Sequence, residues 1–123
     1  MPPRPLALIA AALLVLSPML AAAHIGHGAP GLVLQLERVD RQGASLQIAL
    51  AIENTGEGVL TLDAFTTDLG LVTILDGGTE IAAGSTTHLT LGLEVAGDMP
   101  GLFTLIADFG PAGAGALLIF TGA

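Results

Sequence analysis

Residues 45–65 read SLQIALAIENTGEGVLTLDAF, and this stretch decides the fold. Apolar side chains recur at every second position of its first half: Leu46, Ile48, Leu50 and Ile52. This is the period at which one face of a β-strand meets a hydrophobic core. The run stops at the turn-favouring NTGEG of 54–58, and a β-favouring pattern resumes at 59–62. We therefore predict a β-hairpin with a short Gly-rich loop.

The remainder of the chain repeats short stretches of similar pattern. We predict strands at 32–39, 46–52, 59–62, 69–75, 79–82, 86–93, 102–109 and 116–120. Turns rich in Gly, Pro and Asp separate them at intervals of about 8–12 residues, and no long segment has a helical period. The predicted fold class is therefore all-β, an antiparallel immunoglobulin/cupredoxin-like β-sandwich of seven to eight strands.

The first 23 residues have the layout of a secretory signal peptide. Arg4 precedes the apolar run LALIAAALLVL at 6–16, and small residues follow at 21–23. We predict a signal peptide at 1–23, a flexible N-terminal segment at 24–31 and a β-sandwich domain at 32–123. An uncleaved anchor is the alternative, although the apolar run is short for a bilayer span. The expected location is the periplasm or the exterior, with no membrane span in the mature chain.

Composition excludes several classes of function. The chain has no cysteine, so disulfides and cysteine metal sites are impossible. Three basic residues stand against eleven acidic ones, with a formal net charge of −8. Nucleic-acid binding requires a basic surface that neutralises phosphates, so we expect no nucleic-acid partner.

The histidines carry the only chemical signal in the sequence. They are His24, His27 and His88. Cleavage after Ala23 would give His24 both a free α-amine and an imidazole, and His27 would add a further nitrogen for Cu(II). Cleavage after Ala21 would instead produce Ala-Ala-His, a square-planar site for Cu(II) or Ni(II). The alternative for both N-terminal histidines is a solvated tail without a metal.

His88 and the acids give weaker signals. By strand alternation His88 lies on a polar face, where a plain surface histidine is the ordinary interpretation, and it is the third candidate ligand. The acids are scattered along the chain, so paired carboxylates for acid–base catalysis are not indicated. No nucleophile or phosphate-binding motif is present. We therefore expect a protein that is not an enzyme, and we rank a copper-dependent redox enzyme last.

Three segments resemble the periplasmic copper chaperones of the PCu(A)C type. The segments are LQIALAIENTGEGVLTLDAFTTDLG at 46–70, EIAAGSTTHL at 80–89, and Gly97-Asp98 followed by LFTLIADF at 102–109. The similarity spans roughly residues 45–120. It implies a β-sandwich, a periplasmic location and a role in copper handling.

The resemblance does not extend to the family's usual copper ligands. Those chaperones carry His and Met ligands after the first hairpin and in an H-x-M segment. Here the first position reads LVTI at 71–74, and the second is shortened to LGLE at 91–94. We therefore expect copper, if bound, to use the N-terminal histidines.

Two functions remain open from the sequence. The first is an exported, chaperone-like copper-binding protein that uses His24 and His27 and passes the metal to a copper-receiving or envelope protein. The second is a metal-free β-sandwich interaction module of the cell envelope, which would bind its partner through a strand edge or Gly-rich loops.

Overall fold

The structure is a computed structural model that describes residues 31–122, and its regular elements are nine β-strands and one 3₁₀ turn. The strands are β1 (Leu32–Gln42), β2 (Ser45–Asn54), β3 (Leu60–Thr61), β4 (Ala64–Thr66), β5 (Gly70–Asp76), β6 (Glu80–Ile81), β7 (Thr86–Val95), β8 (Leu102–Asp108) and β9 (Ala114–Phe120). The 3₁₀ turn, Gly110–Ala112, joins β8 to β9. The predicted signal peptide and the N-terminal histidines lie outside the described residues.

All strand pairs are antiparallel, and the two larger sheets form a sandwich. The four-stranded sheet has the order β1-β2-β7-β5, the three-stranded sheet the order β4-β8-β9, and β3 pairs with β6. Read in chain order, the larger sheets have the A-B-E-D and C-F-G arrangement of constant-type immunoglobulin domains. The predicted all-β sandwich is confirmed. Seven strands have three or more residues, and the two-residue β3 and β6 bring the total to nine.

The inward faces of both large sheets form one hydrophobic core. The alternating residues of β2 that define the opening stretch are all buried, as are Leu89, Leu91 and Leu93 of β7. The second sheet contributes Phe103, Leu105, Leu117 and Ile119 to the same cluster. Side chains alternate between the two faces of a strand. The odd-numbered leucines of β7 therefore point into the core, and His88 of the same strand points to solvent.

The predicted hairpin between 46–52 and 59–62 is wrong. β2 pairs with β1 and β7, whereas β3 pairs with β6. Asn54 accounts for the difference, because its buried amide donates hydrogen bonds to the carbonyls of Gly58 (2.7 Å) and Ile81 (2.9 Å). These bonds carry the chain across to the opposite sheet instead of folding it back along β2.

Candidate functional site

His88 lies on the solvent-facing side of the four-stranded sheet. It pairs with Ala51 of β2, which in turn pairs with Gln35 of β1. Its side chain is 67% exposed. The prediction that His88 lies on the polar face of its strand is confirmed.

Glu37 of β1 contacts the imidazole of His88, which distinguishes His88 from an ordinary surface histidine. The Nδ1 atom of His88 lies 3.2 Å and 3.1 Å from Oε1 and Oε2 of Glu37. The two strands are not neighbours, since β2 runs between them. At this level β2 presents Ala51, whose methyl group is short enough for the carboxylate and imidazole to meet above it.

A β-bulge places Glu37 where it can reach His88. The register of β1 against β2 shifts between Leu36 and Arg38, so Glu37 is the extra residue. A bulge redirects a side chain relative to the regular alternation of its strand. Sequence reasoning did not identify Glu37, because the LERVD pattern around it gives no signal for a bulge.

The contact with Glu37 fixes which ring nitrogen of His88 is available. An ionised carboxylate only accepts hydrogen bonds, so Nδ1 must carry the proton that is donated to it. In the neutral ring the lone pair then belongs to Nε2, which makes no hydrogen bond within residues 31–122. Metal-bound histidines typically have their second nitrogen bound to a carboxylate in this way. The contact with Glu37 thus leaves Nε2 of His88 without a hydrogen-bond partner among the described residues.

The chain enters the sandwich at the same end of this sheet. The carbonyl of Gly31 accepts a hydrogen bond from Thr55 at 2.8 Å, just beyond the end of β2. Gly31 lies beside Thr55, four residues beyond Ala51, the partner of His88, which is about 13 Å along β2. Two strand spacings, from β1 to β7, add about 10 Å across the sheet. The distance from Gly31 to His88 is therefore roughly 16 Å. Four residues of extended chain span about 13 Å, and an imidazole at each end covers the rest. Chain length therefore allows His27, and more easily His24, to approach His88.

The described residues do not by themselves supply enough ligands for a metal site. Within 31–122 there is no group of three or more His, Asp and Glu side chains positioned to hold a metal ion. Of the three predicted ligands, His24 and His27 lie outside the described residues, and His88 is placed beside Glu37. Met99, a turn residue, packs partly buried against the core.

A shallow groove occupies the other end of the same sheet face. Its volume is about 380 Å³, and it lies between Asp40 of β1 and the leucines of β5. Glu94 accepts a hydrogen bond from the hydroxyl of Ser45 at 2.6 Å, and Asp40 pairs with Arg38 at 2.8 Å. Gly92 also lines the groove, and the side chain of Leu75 lies directly over it.

The outer face of the three-stranded sheet has a different character. Leu102, Ile106 and Phe120 are exposed there, and the register places Leu102 directly beside Phe120. Asp108, at one end of β8, is the only charged residue among the strand positions of this face. The sheet face that carries His88 therefore has both charged and apolar side chains, whereas the outer face of the three-stranded sheet is mainly apolar.

Comparison with known proteins assigns no family. No protein-family model and no curated protein sequence matches the chain. Among solved structures, the chain is similar to the secreted serine protease VesC from Vibrio cholerae, with 16% identity and a TM-score of 0.48. The match covers 88% of this chain but only 25% of that chain. A similarity of this size carries no argument about activity.

Between residues 31 and 122 no helix is long and apolar enough to cross a bilayer.

Proposed function

We propose that this protein is an exported copper-binding β-sandwich of the periplasm or the exterior, which carries the metal without catalytic turnover. Its ligands are His24 and His27, with His88 as the third. The observation that supports the proposal best is the orientation of His88, whose Nδ1 is held by Glu37 while Nε2 faces solvent. It lies within chain reach of the two N-terminal histidines.

The donor set matches the preferences of copper. Imidazole and amine nitrogens suit Cu(II). The chain has no cysteine, whose thiolate would favour Cu(I), zinc or iron–sulfur clusters. A site assembled from a chain terminus and one exposed side chain is open to solvent. Such a site suits a carrier, because a receiving protein can approach the metal directly. The receiving protein is expected to be another exported or envelope protein.

Titration of the exported chain with Cu(II) tests the ligand set. We expect one tight copper per chain, with nitrogen coupling in its electron paramagnetic resonance spectrum. The double variant His24→Ala/His27→Ala should lose tight binding, and His88→Ala should weaken it about tenfold, as expected for loss of one ligand of several. Gln47→Ala, on the same sheet face but outside the proposed site, is the matched control and should bind like the parent. Unchanged affinity in the double variant would contradict the assignment.

A metal-free interaction module is the second candidate function. The apolar face of β4, β8 and β9 favours it, since monomers rarely leave large contiguous apolar patches exposed. Under this alternative, Leu102→Asp should abolish capture of an envelope partner, while His24→Ala/His27→Ala leaves capture intact. Loss of partner capture in the histidine variant, and not in Leu102→Asp, would instead favour the copper proposal.

A further inference from the structure

Strand β5 forms a bare edge of the four-stranded sheet. It pairs with β7 on one side, and no strand of residues 31–122 pairs with it on the other. None of the backbone hydrogen bonds outside the sheets involves its residues 71–76. The opposite edge, β1, also has no strand partner on its outer side within residues 31–122, and its inward-facing Leu34 packs against Gly115 of β9.

The β5 edge has few of the features that usually prevent strand pairing, and they lie at its end. Natural edge strands are protected by lysine, proline, inward charges or β-bulges. β5 reads GLVTILD, and its only protective features are Asp76 and the bulge between Ile74 and Asp76. Leu71 and Leu75, 79% and 53% exposed, stand on its outer face. A bare edge with two solvent-exposed leucines is a pairing surface.

The side chains of β5 form a palindrome about Thr73. Leucines stand two positions before and after Thr73, at 71 and 75. β-branched apolar residues stand one position before and after it, at 72 and 74. A two-fold axis requires self-complementary contacts of this kind. We infer that β5 pairs antiparallel with β5 of a second copy of this chain, with Thr73 on the two-fold axis.

This register gives matched contacts on both faces of the joined sheet. On the outer face, Leu71 lies opposite Leu75 of the second copy. The two-fold axis generates a second, equivalent pair between Leu75 and Leu71 of the second copy. On the inner face, Val72 lies opposite Ile74 of the second copy. Cross-strand pairs of apolar residues stabilise antiparallel sheets. The bulge at Leu75 turns that side chain over Gly92 and ends the pairing there, before Asp76.

Charge distribution favours a second copy at this position. The chain is strongly acidic, so most of its surface repels another copy. Residues 71–75 are uncharged, and the antiparallel register holds the two Asp76 carboxylates about 20 Å apart. That separation exceeds the Debye length of about 8 Å at physiological salt. The Asp76 carboxylates of two copies therefore do not repel each other appreciably at this edge.

Cysteine cross-linking tests the register directly, because the chain has no native cysteine. Facing residues at the axis have Cα atoms about 4.5–5.5 Å apart, within the range of a disulfide. We expect Thr73→Cys with oxidised glutathione to give a disulfide-linked dimer. Thr104→Cys, at the centre of the apolar face, is the control and should stay monomeric. Linkage through Thr104→Cys alone, or through neither variant, would overturn the proposal.

Sedimentation equilibrium of the cysteine-free chain gives an independent measurement. We expect a reversible dimer whose dissociation constant rises at least tenfold in Leu71→Asp, because the substitution places a carboxylate against a leucine in both copies. Leu102→Asp, which changes an exposed leucine on the other sheet, should leave that constant unchanged. The inference is wrong if the chain is monomeric at all concentrations, or if only Leu102→Asp weakens the dimer.

Discussion

Asn54 is the one buried polar residue among residues 31–122. Its amide donates to the carbonyls of Gly58 and Ile81, and its Oδ1 accepts from the amide of Gly56 at 3.0 Å. We expect Asn54→Ala to lower the free energy of unfolding by about 2–4 kcal/mol, because unpaired buried groups cost about 1–3 kcal/mol each. Urea denaturation measures this. Gln47→Ala, exposed on the same strand, should change it by less than about 0.5 kcal/mol.

Glu37 should affect copper binding far more than stability. Glu37→Gln removes the acceptor-only partner that selects the tautomer of His88, so copper affinity should fall about tenfold. Both side chains are substantially exposed, so the free energy of unfolding should change by less than about 1 kcal/mol. Competition titration against a copper chelator, paired with urea denaturation, separates the two effects. Equal copper affinity in the variant would mean that Glu37 does not orient a ligand.

Among the strand connections, Gly77 and Gly43 form a matched pair of glycines with positive φ. A Cβ on Gly77, with φ of 109°, would lie 2.6 Å from the carbonyl oxygen of His88. Gly43, with φ of 63°, has open space around the same position. We expect Gly43→Ala to cost about 1 kcal/mol from backbone conformation alone, and Gly77→Ala at least twice that. Thermal unfolding compares the stabilities of the two variants. Equal losses of stability would contradict the close approach of Gly77 to the carbonyl of His88.

Elements with strict alternation were readable from the sequence. β2 and β7 bury their alternating apolar residues, so their position and inward face follow from the pattern, although both strands are longer than the predicted 46–52 and 86–93. The hairpin was not readable, because a two-residue period identifies the buried face of a strand but not its partner. β2 pairs with β7, some forty positions along the chain, and the buried amide of Asn54 redirects the intervening segment.

The candidate site was readable only in part, for a related reason. Alternation placed His88 on the outer face of its strand. The contact with Glu37 depends on a bulge in β1 and on a small residue, Ala51, in the strand between them. Neither feature has a local sequence signal, since both arise from the register of three strands that are distant in sequence.

On the scale of the whole molecule, the acidic charge predicts how association responds to salt. Two copies with a formal charge near −8 each repel through solvent, and salt shortens the range of this repulsion. We expect the dimer formed through β5 to tighten severalfold when salt is raised from about 10 to about 150 mM. Sedimentation equilibrium at both concentrations measures this. A dimer that weakens in salt would require charge-complementary contacts instead of the uncharged edge.

Intact mass of the exported protein tests copper capture by the N-terminal histidines. The protein should be measured with and without one equivalent of Cu(II), under conditions that preserve the fold. We predict a chain that begins at His24 and holds one copper, which His24→Ala/His27→Ala does not hold. A chain that retains residues 1–23, or takes up no copper, would contradict the proposal.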